Sequence, residues 1–75
     1  MSKIIAEGVL VKNDRDRYCI NDEWELTSGM VVEVRQKGEW IRTPIEHDGE
    51  DYYFKKLPEL YVWGCRVRLR DFSEF

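Results

Sequence analysis

The chain has 75 residues, 12 basic against 15 acidic side chains and a net charge of −3. So short a unit buries only about 60% of its unfolded surface, which leaves material for a single domain over residues 1–75 and for no second core. The acid excess removes the whole-molecule field that draws a protein to phosphate, so nucleic acid is disfavoured as a partner.

Charged residues make up 36% of the chain, but they alternate with Val, Ile, Leu and aromatics instead of forming tails, which argues for a folded domain. Three Trp, four Tyr and three Phe supply the buried area that a small core needs. Cys19 and Cys65 are far apart and belong to no CxxC pair, so free thiols are expected. With His47 as the single histidine, no structural zinc site can be assembled, and no metal or other cofactor is expected. The segment from Met1 to Val11 has one lysine and an apolar run broken by Glu7 and Gly8. It reads as neither a signal peptide nor a membrane span, and the expected location is the cytoplasm.

No stretch has the 3.6-residue period of an amphipathic helix. Short alternating or β-branched runs are separated by Gly and Asp/Asn clusters, the pattern of an antiparallel meander. In chain order the predicted strands are Ile4 to Val11, Arg17 to Ile20, Met30 to Gln36, Glu39 to Glu46, Asp51 to Lys55 and Cys65 to Arg70. The first loop is Asn13-Asp14-Arg15-Asp16.

Two turns set the register in the middle of the chain. Lys37-Gly38 and Asp48-Gly49 both fit two-residue hairpin loops in which Gly supplies positive φ. The first pairs Arg35 with Trp40, Val34 with Ile41, Glu33 with Arg42, Val32 with Thr43 and Val31 with Pro44. The second pairs Ile45 with Tyr52, Pro44 with Tyr53 and Thr43 with Phe54. Both counts put Val32, Val34, Ile41, Thr43, Ile45, Tyr52 and Phe54 on one core face. Val31, Glu33, Arg35, Trp40, Arg42, Pro44, Glu46, Tyr53 and Lys55 fall on the other, with an ion pair expected for Glu33 and Arg42 and a cation–π contact for Arg35 and Trp40.

In the last strand Cys65, Val67 and Leu69 point inward between Arg66, Arg68 and Arg70. Pro58 argues against a strand between Lys56 and Gly64, where a single 3₁₀ turn is expected. Five to six short strands in this arrangement predict an all-β fold, a small antiparallel SH3-like barrel, with an OB-like barrel as the alternative.

The spread pattern Gly8-Val-Leu10, Arg17-Tyr18, Leu26-Thr-Ser-Gly29, Val32-Glu33-Val34, Gly38-Glu-Trp40, Thr43-Pro-Ile45-Glu46, Tyr52-Tyr53 and Gly64-Cys-Arg-Val67-Arg68 resembles a family of short proteins from Gram-positive bacteria and their mobile elements, catalogued as a domain of unknown function. The resemblance implies a small β-barrel and carries over no catalytic or binding residue. The family pattern has a basic residue between Thr43 and Ile45, where this chain has Pro44, which removes a ladder donor.

No catalytic constellation is present. His47 stands beside Asp48 at a turn tip, and Ser28, Ser73, Cys19 and Cys65 have no base near them in sequence. The acidic run Glu46, Asp48, Glu50, Asp51 lacks calcium-loop spacing, and no Gly lies at a strand-to-helix phosphate cradle. Two surfaces remain. Trp40, Pro44, Tyr53, Val31 and Arg42 form an outward face suited to a protein partner, unless the terminal segment around Phe72 and Phe75 covers it as a second small core. Arg66, Arg68 and Arg70 form a stripe that either binds phosphate or neutralises acids on neighbouring strands. The expectation is therefore a non-catalytic module that binds protein through the aromatic face. The alternatives are a nucleic-acid-binding barrel that uses the arginines and, from size and the resemblance, an inhibitor or accessory factor of a mobile element.

Overall fold

The computed structural model describes residues 3–71. Its elements are seven strands and no helix: β1 (Ile4–Lys12), β2 (Tyr18–Ile20), β3 (Trp24–Glu25), β4 (Val31–Gln36), β5 (Glu39–His47), β6 (Tyr52–Phe54) and β7 (Arg66–Arg70). They form one antiparallel sheet in the order β3-β2-β1-β7-β4-β5-β6. The all-β reading holds, and the strand count rises from the expected five or six to seven. The addition is β3, two residues paired as Ile20 with Trp24 and Cys19 with Glu25. Two residues are too few to show alternation, which is why periodicity did not find it.

The sheet is open, with β3 and β6 at its edges. It nevertheless curls around one core, because inward residues of β2 (Tyr18, Ile20) and of β5 and β6 (Ile45, Phe54) belong to the same buried cluster as Leu10, Val34 and Val67. Side chains, not a ladder, bridge the two sides: Tyr18 and Tyr52 meet edge to face at 5.8 Å between ring centroids. Lys12 reaches Asp51 at 3.3 Å. Among the described residues, no backbone ladder joins β3 to β6 to close the sheet into a barrel.

The β4–β5 hairpin follows the predicted register at every pair from Val31–Pro44 to Arg35–Trp40. Lys37 and Gly38 both take positive φ, 50° and 82°, as a type I′ turn demands. The β5–β6 hairpin departs from expectation. Ile45 pairs with Phe54, Glu46 with Tyr53 and His47 with Tyr52, so the loop has four residues, Asp48 to Asp51. The Asp48 carboxylate accepts from the Glu50 and Asp51 N–H groups at 2.8 and 2.9 Å, and the Asp48 N–H donates to the Asp51 carbonyl. This side-chain cap replaces the two-residue turn. The shift is by two residues, so Phe54 stays in the core, and no side chain changes face.

Val32, Val34, Ile45, Phe54 and Val67 are fully buried. Ile41 is only half-buried, a correction to its expected core position: it lies next to the hairpin tip, where fewer neighbouring strands cover it. Tyr52 is likewise half-buried, packed against the core. The single 3₁₀ turn expected before the last strand is replaced by separate turns, with Leu57 N–H bonded to Phe54 and Leu60 N–H to Leu57. Cys19 and Cys65 are free thiols, and burial pushes both pKa values up. The possibility that Phe72 and Phe75 cover the outer face, and Ser73, lie outside the described residues.

Candidate functional site

The outward positions of β4, β5 and β7 are set by the same alternation that fills the core. Glu33 is the Cα partner of Arg42 on one side and of Arg68 on the other, and Arg68 is in turn opposite Glu7. The result is a row across four strands, Arg42, Glu33, Arg68, Glu7, in which charge alternates. Arg68 and Arg70 each donate from Nε to the same Glu33 oxygen at 2.6 Å. Arg66 donates to Glu7 at 3.1 Å. The arginine stripe of the last strand thus has carboxylate partners on the strands to either side. Glu33, Arg68 and Arg70 are all at most a quarter exposed along their side chains, whereas Arg66 is about half exposed.

Local cross-strand reasoning paired Glu33 with Arg42 by charge. The geometry gives the Glu33 carboxylate Arg68 and Arg70 instead, because β7 is the second neighbour of β4, and sequence spacing does not reveal it. Partial burial opposes ionisation of Glu33, but the hydrogen bonds from Arg68 and Arg70 outweigh it and hold its pKa below the ordinary value of 4.5. A carboxylate whose folded-state pKa is depressed stabilises the fold fully above its unfolded value, and the contribution is lost as pH falls through the folded value. Stability is therefore expected to decline on acidification below about pH 4.5. Urea titrations across that range should show a smaller decline for Glu33→Gln, and an unchanged decline would assign it to other carboxylates.

Trp40 is half-buried, and two guanidinium groups lie over its ring, that of Arg35 at 5.3 Å from the centroid and that of Arg68 at 4.2 Å. The expected Arg35–Trp40 contact is present, and Arg68 is the partner the sequence did not reveal. Val31 and Pro44 are half-buried beside each other further along the hairpin, and Arg42 is exposed between them and Trp40. Tyr53, however, stands opposite Glu46 and not Pro44. At about 3.3 Å per residue, six positions along β5 separate it from Trp40 by roughly 20 Å. The predicted aromatic face therefore divides, with Trp40 and its arginines at one end and Tyr53 at the other. Glu46, beside Tyr53, accepts from the Ser28 hydroxyl.

A second aromatic group went unread in the sequence. His47, Tyr52, Tyr18 and Trp63 form a chain of edge-to-face contacts at 4.7, 5.8 and 6.2 Å, with the Lys12 ammonium 5.3 Å from the Tyr18 ring. Trp63 and Tyr61 leave 49% and 79% of their surface exposed. Their stretch has no period, so nothing local tied Trp63 to Tyr18, 45 residues earlier. A groove of about 490 Å³ lies elsewhere, lined by Gln36 and by Lys56 to Leu60.

Among the described residues, no group of His, Cys, Asp and Glu is placed to hold a metal ion, and every buried side-chain nitrogen or oxygen has a hydrogen-bond partner. His47 lies exposed at its turn and accepts from the Gly49 N–H. Among the described residues, no helix is long and apolar enough to cross a membrane. What the outer face offers is recognition chemistry: guanidinium groups over an indole, with aliphatic and proline surface beside them.

No curated protein and no solved structure matches the chain. The model of a family described as a domain of unknown function, DUF5348, matches residues 8–69, which takes in all of β2 to β6, β7 up to its last residue and most of β1; the chain belongs to that family.

Proposed function

We propose that this domain is a non-catalytic binding module that engages a protein partner through the Trp40 end of its outer face. The observation that carries the reading is the stacking of Arg35 and Arg68 on a half-buried Trp40, with Arg42 beside them. Trp and Arg are the residue types that concentrate binding energy at protein interfaces, and here the guanidinium groups already contact the indole without a partner. Val31 and Pro44 extend the contact surface along the hairpin. Tyr53 stands too far from Trp40 to share a hot spot with it.

Nucleic acid is the second reading, favoured by the exposed guanidinium of Arg66 in the stripe with Arg68 and Arg70. A cytoplasmic location accompanies either reading. To test the first, a partner is identified by affinity capture from the native cell and titrated against the purified domain and its Trp40→Ala variant. The expected loss is about 2 kcal/mol, on the order of 30-fold in Kd, with little change in the melting midpoint. Undiminished affinity would place the interface elsewhere. Among the arginines, Arg66→Ala is the milder probe of phosphate contact, because the Glu7 carboxylate it leaves is more exposed, whereas truncating Arg68 or Arg70 removes a partner from the more buried Glu33.

A further inference from the structure

The outer face differs from the rest of the molecule in charge. From β1 across β7, β4 and β5 to the end of β6 it carries, among the described residues, the cations Arg35, Arg42, Lys55, Arg66, Arg68 and Arg70 against the carboxylates Glu7, Glu33 and Glu46. Yet the chain as a whole has 15 acids to 12 bases. The excess acid lies elsewhere, in loops such as Asp14 to Asp16, Asp22-Glu23 and Asp48 to Asp51. A domain with a net negative charge thus presents one positive face, and Trp40 lies on it.

The stacking geometry narrows what that face can receive. With two guanidinium groups at 5.3 and 4.2 Å from the indole centroid, a nucleobase would compete with them for the Trp40 ring. A guanidinium presents its N–H groups as a planar fork, the geometry that carboxylates match. Arg35 is opposite Trp40 and therefore diagonal to Arg42, about 7 to 8 Å away. In an extended chain, alternate side chains repeat every ~7 Å. Carboxylates two residues apart on an extended segment therefore match Arg35 and Arg42.

We propose, building on the protein-binding reading above, that the partner surface is an acidic, extended protein segment whose alternate carboxylates are received by Arg35 and Arg42 beside Trp40. Charge complementarity steers its approach, and the guanidinium groups stacked on Trp40 make the docking point rigid.

The test uses the full chain, labelled for amide and indole NMR. The probes are a peptide of alternating Glu and Ser about as long as β5, the same peptide with Lys for Glu, and an oligo-dT of equal length. The expected result is that the Glu peptide alone shifts the resonances of Arg35, Trp40 and Arg42. Its affinity should fall by about tenfold or more between about 50 and 200 mM salt, and by about tenfold in the Arg35→Gln/Arg42→Gln variant with its melting midpoint retained. No localised shifts with the Glu peptide, or equal shifts with the Lys peptide, would overturn the proposal. So would tighter binding of oligo-dT at this face, which would point to nucleic acid. The Trp40→Ala titration keeps the two claims apart: if it abolishes capture of a partner while the Glu peptide leaves this face unmoved, the protein-binding reading stands and the acidic partner does not.

Discussion

Replacing Ile45 by Ala is expected to lower the free energy of unfolding by about 2 to 5 kcal/mol. Ile45 is fully buried and lies opposite Phe54, also fully buried. Its N–H donates to Met30 and its carbonyl accepts from Gly29, so the backbone there is tied on the β4 side, and the cavity cannot close by strand movement. A 75-residue domain has a total stability of roughly 4 to 11 kcal/mol. The loss is therefore a large part of the whole, and the variant should be partly unfolded near 37 °C. Ile41→Ala provides the comparison: the same atoms are deleted from a half-buried site, so the cost should be clearly smaller. Urea unfolding of the two variants measures the difference, and equal losses would mean that Ile41 is as deep in the core as Ile45.

Gly8→Ala should cost about 1 to 3 kcal/mol for a different reason. A Cβ at Gly8 would lie 2.1 Å from Oδ1 of Asn21, and that amide is not free to leave. Its Oδ1 accepts from the Val9 N–H and its Nδ2 donates to the Glu7 carbonyl, while the Asn21 N–H donates to the Val9 carbonyl. Asn21 adopts φ of 52°, a conformation Asn tolerates better than most residues. One side chain thus extends the β1–β2 ladder beyond its last strand pair. Because the cost arises from losing the Asn21 hydrogen bonds, it should shrink sharply in an Asn21→Gly background, where Gly keeps the positive φ and vacates the space. A coupling energy of about 1 to 2 kcal/mol is expected from the double-mutant cycle. Strict additivity would mean that Gly8 is needed for its own backbone and not for Asn21.

Both substitutions probe parts of the fold with different visibility in the sequence. Ile45 could be assigned to the core because alternation in β5 and the turn at Lys37-Gly38 agreed on its face. Asn21 could not be read as a clamp on β1, since its three hydrogen bonds reach 12 to 14 residues back along the chain. The candidate site was legible to the same extent. Trp40, Arg42, Val31 and Pro44 were placed outward by local register and are found there. Tyr53 was placed on the correct face but at the wrong height, because the Asp48 carboxylate caps a four-residue loop where Gly49 had suggested a two-residue turn.

The sequence by itself determined the all-β class, the β4–β5 register and which face of the central strands each side chain takes. Each follows from alternation with period two and from a turn whose φ values few residues accept, and both are local properties of the chain. The tertiary structure decided which strands are neighbours, and with that the charge partners. Glu33 had one carboxylate to offer, and a meander read along the chain pointed it at Arg42; the insertion of β7 between β1 and β4 brought Arg68 and Arg70 to it from 35 and 37 residues away. It likewise placed Arg68 on Trp40 and Trp63 against Tyr18. An inner strand has two neighbours, and the sequence near it specifies only the one joined by a short turn, whereas the other is selected by how the whole sheet curls to bury its core.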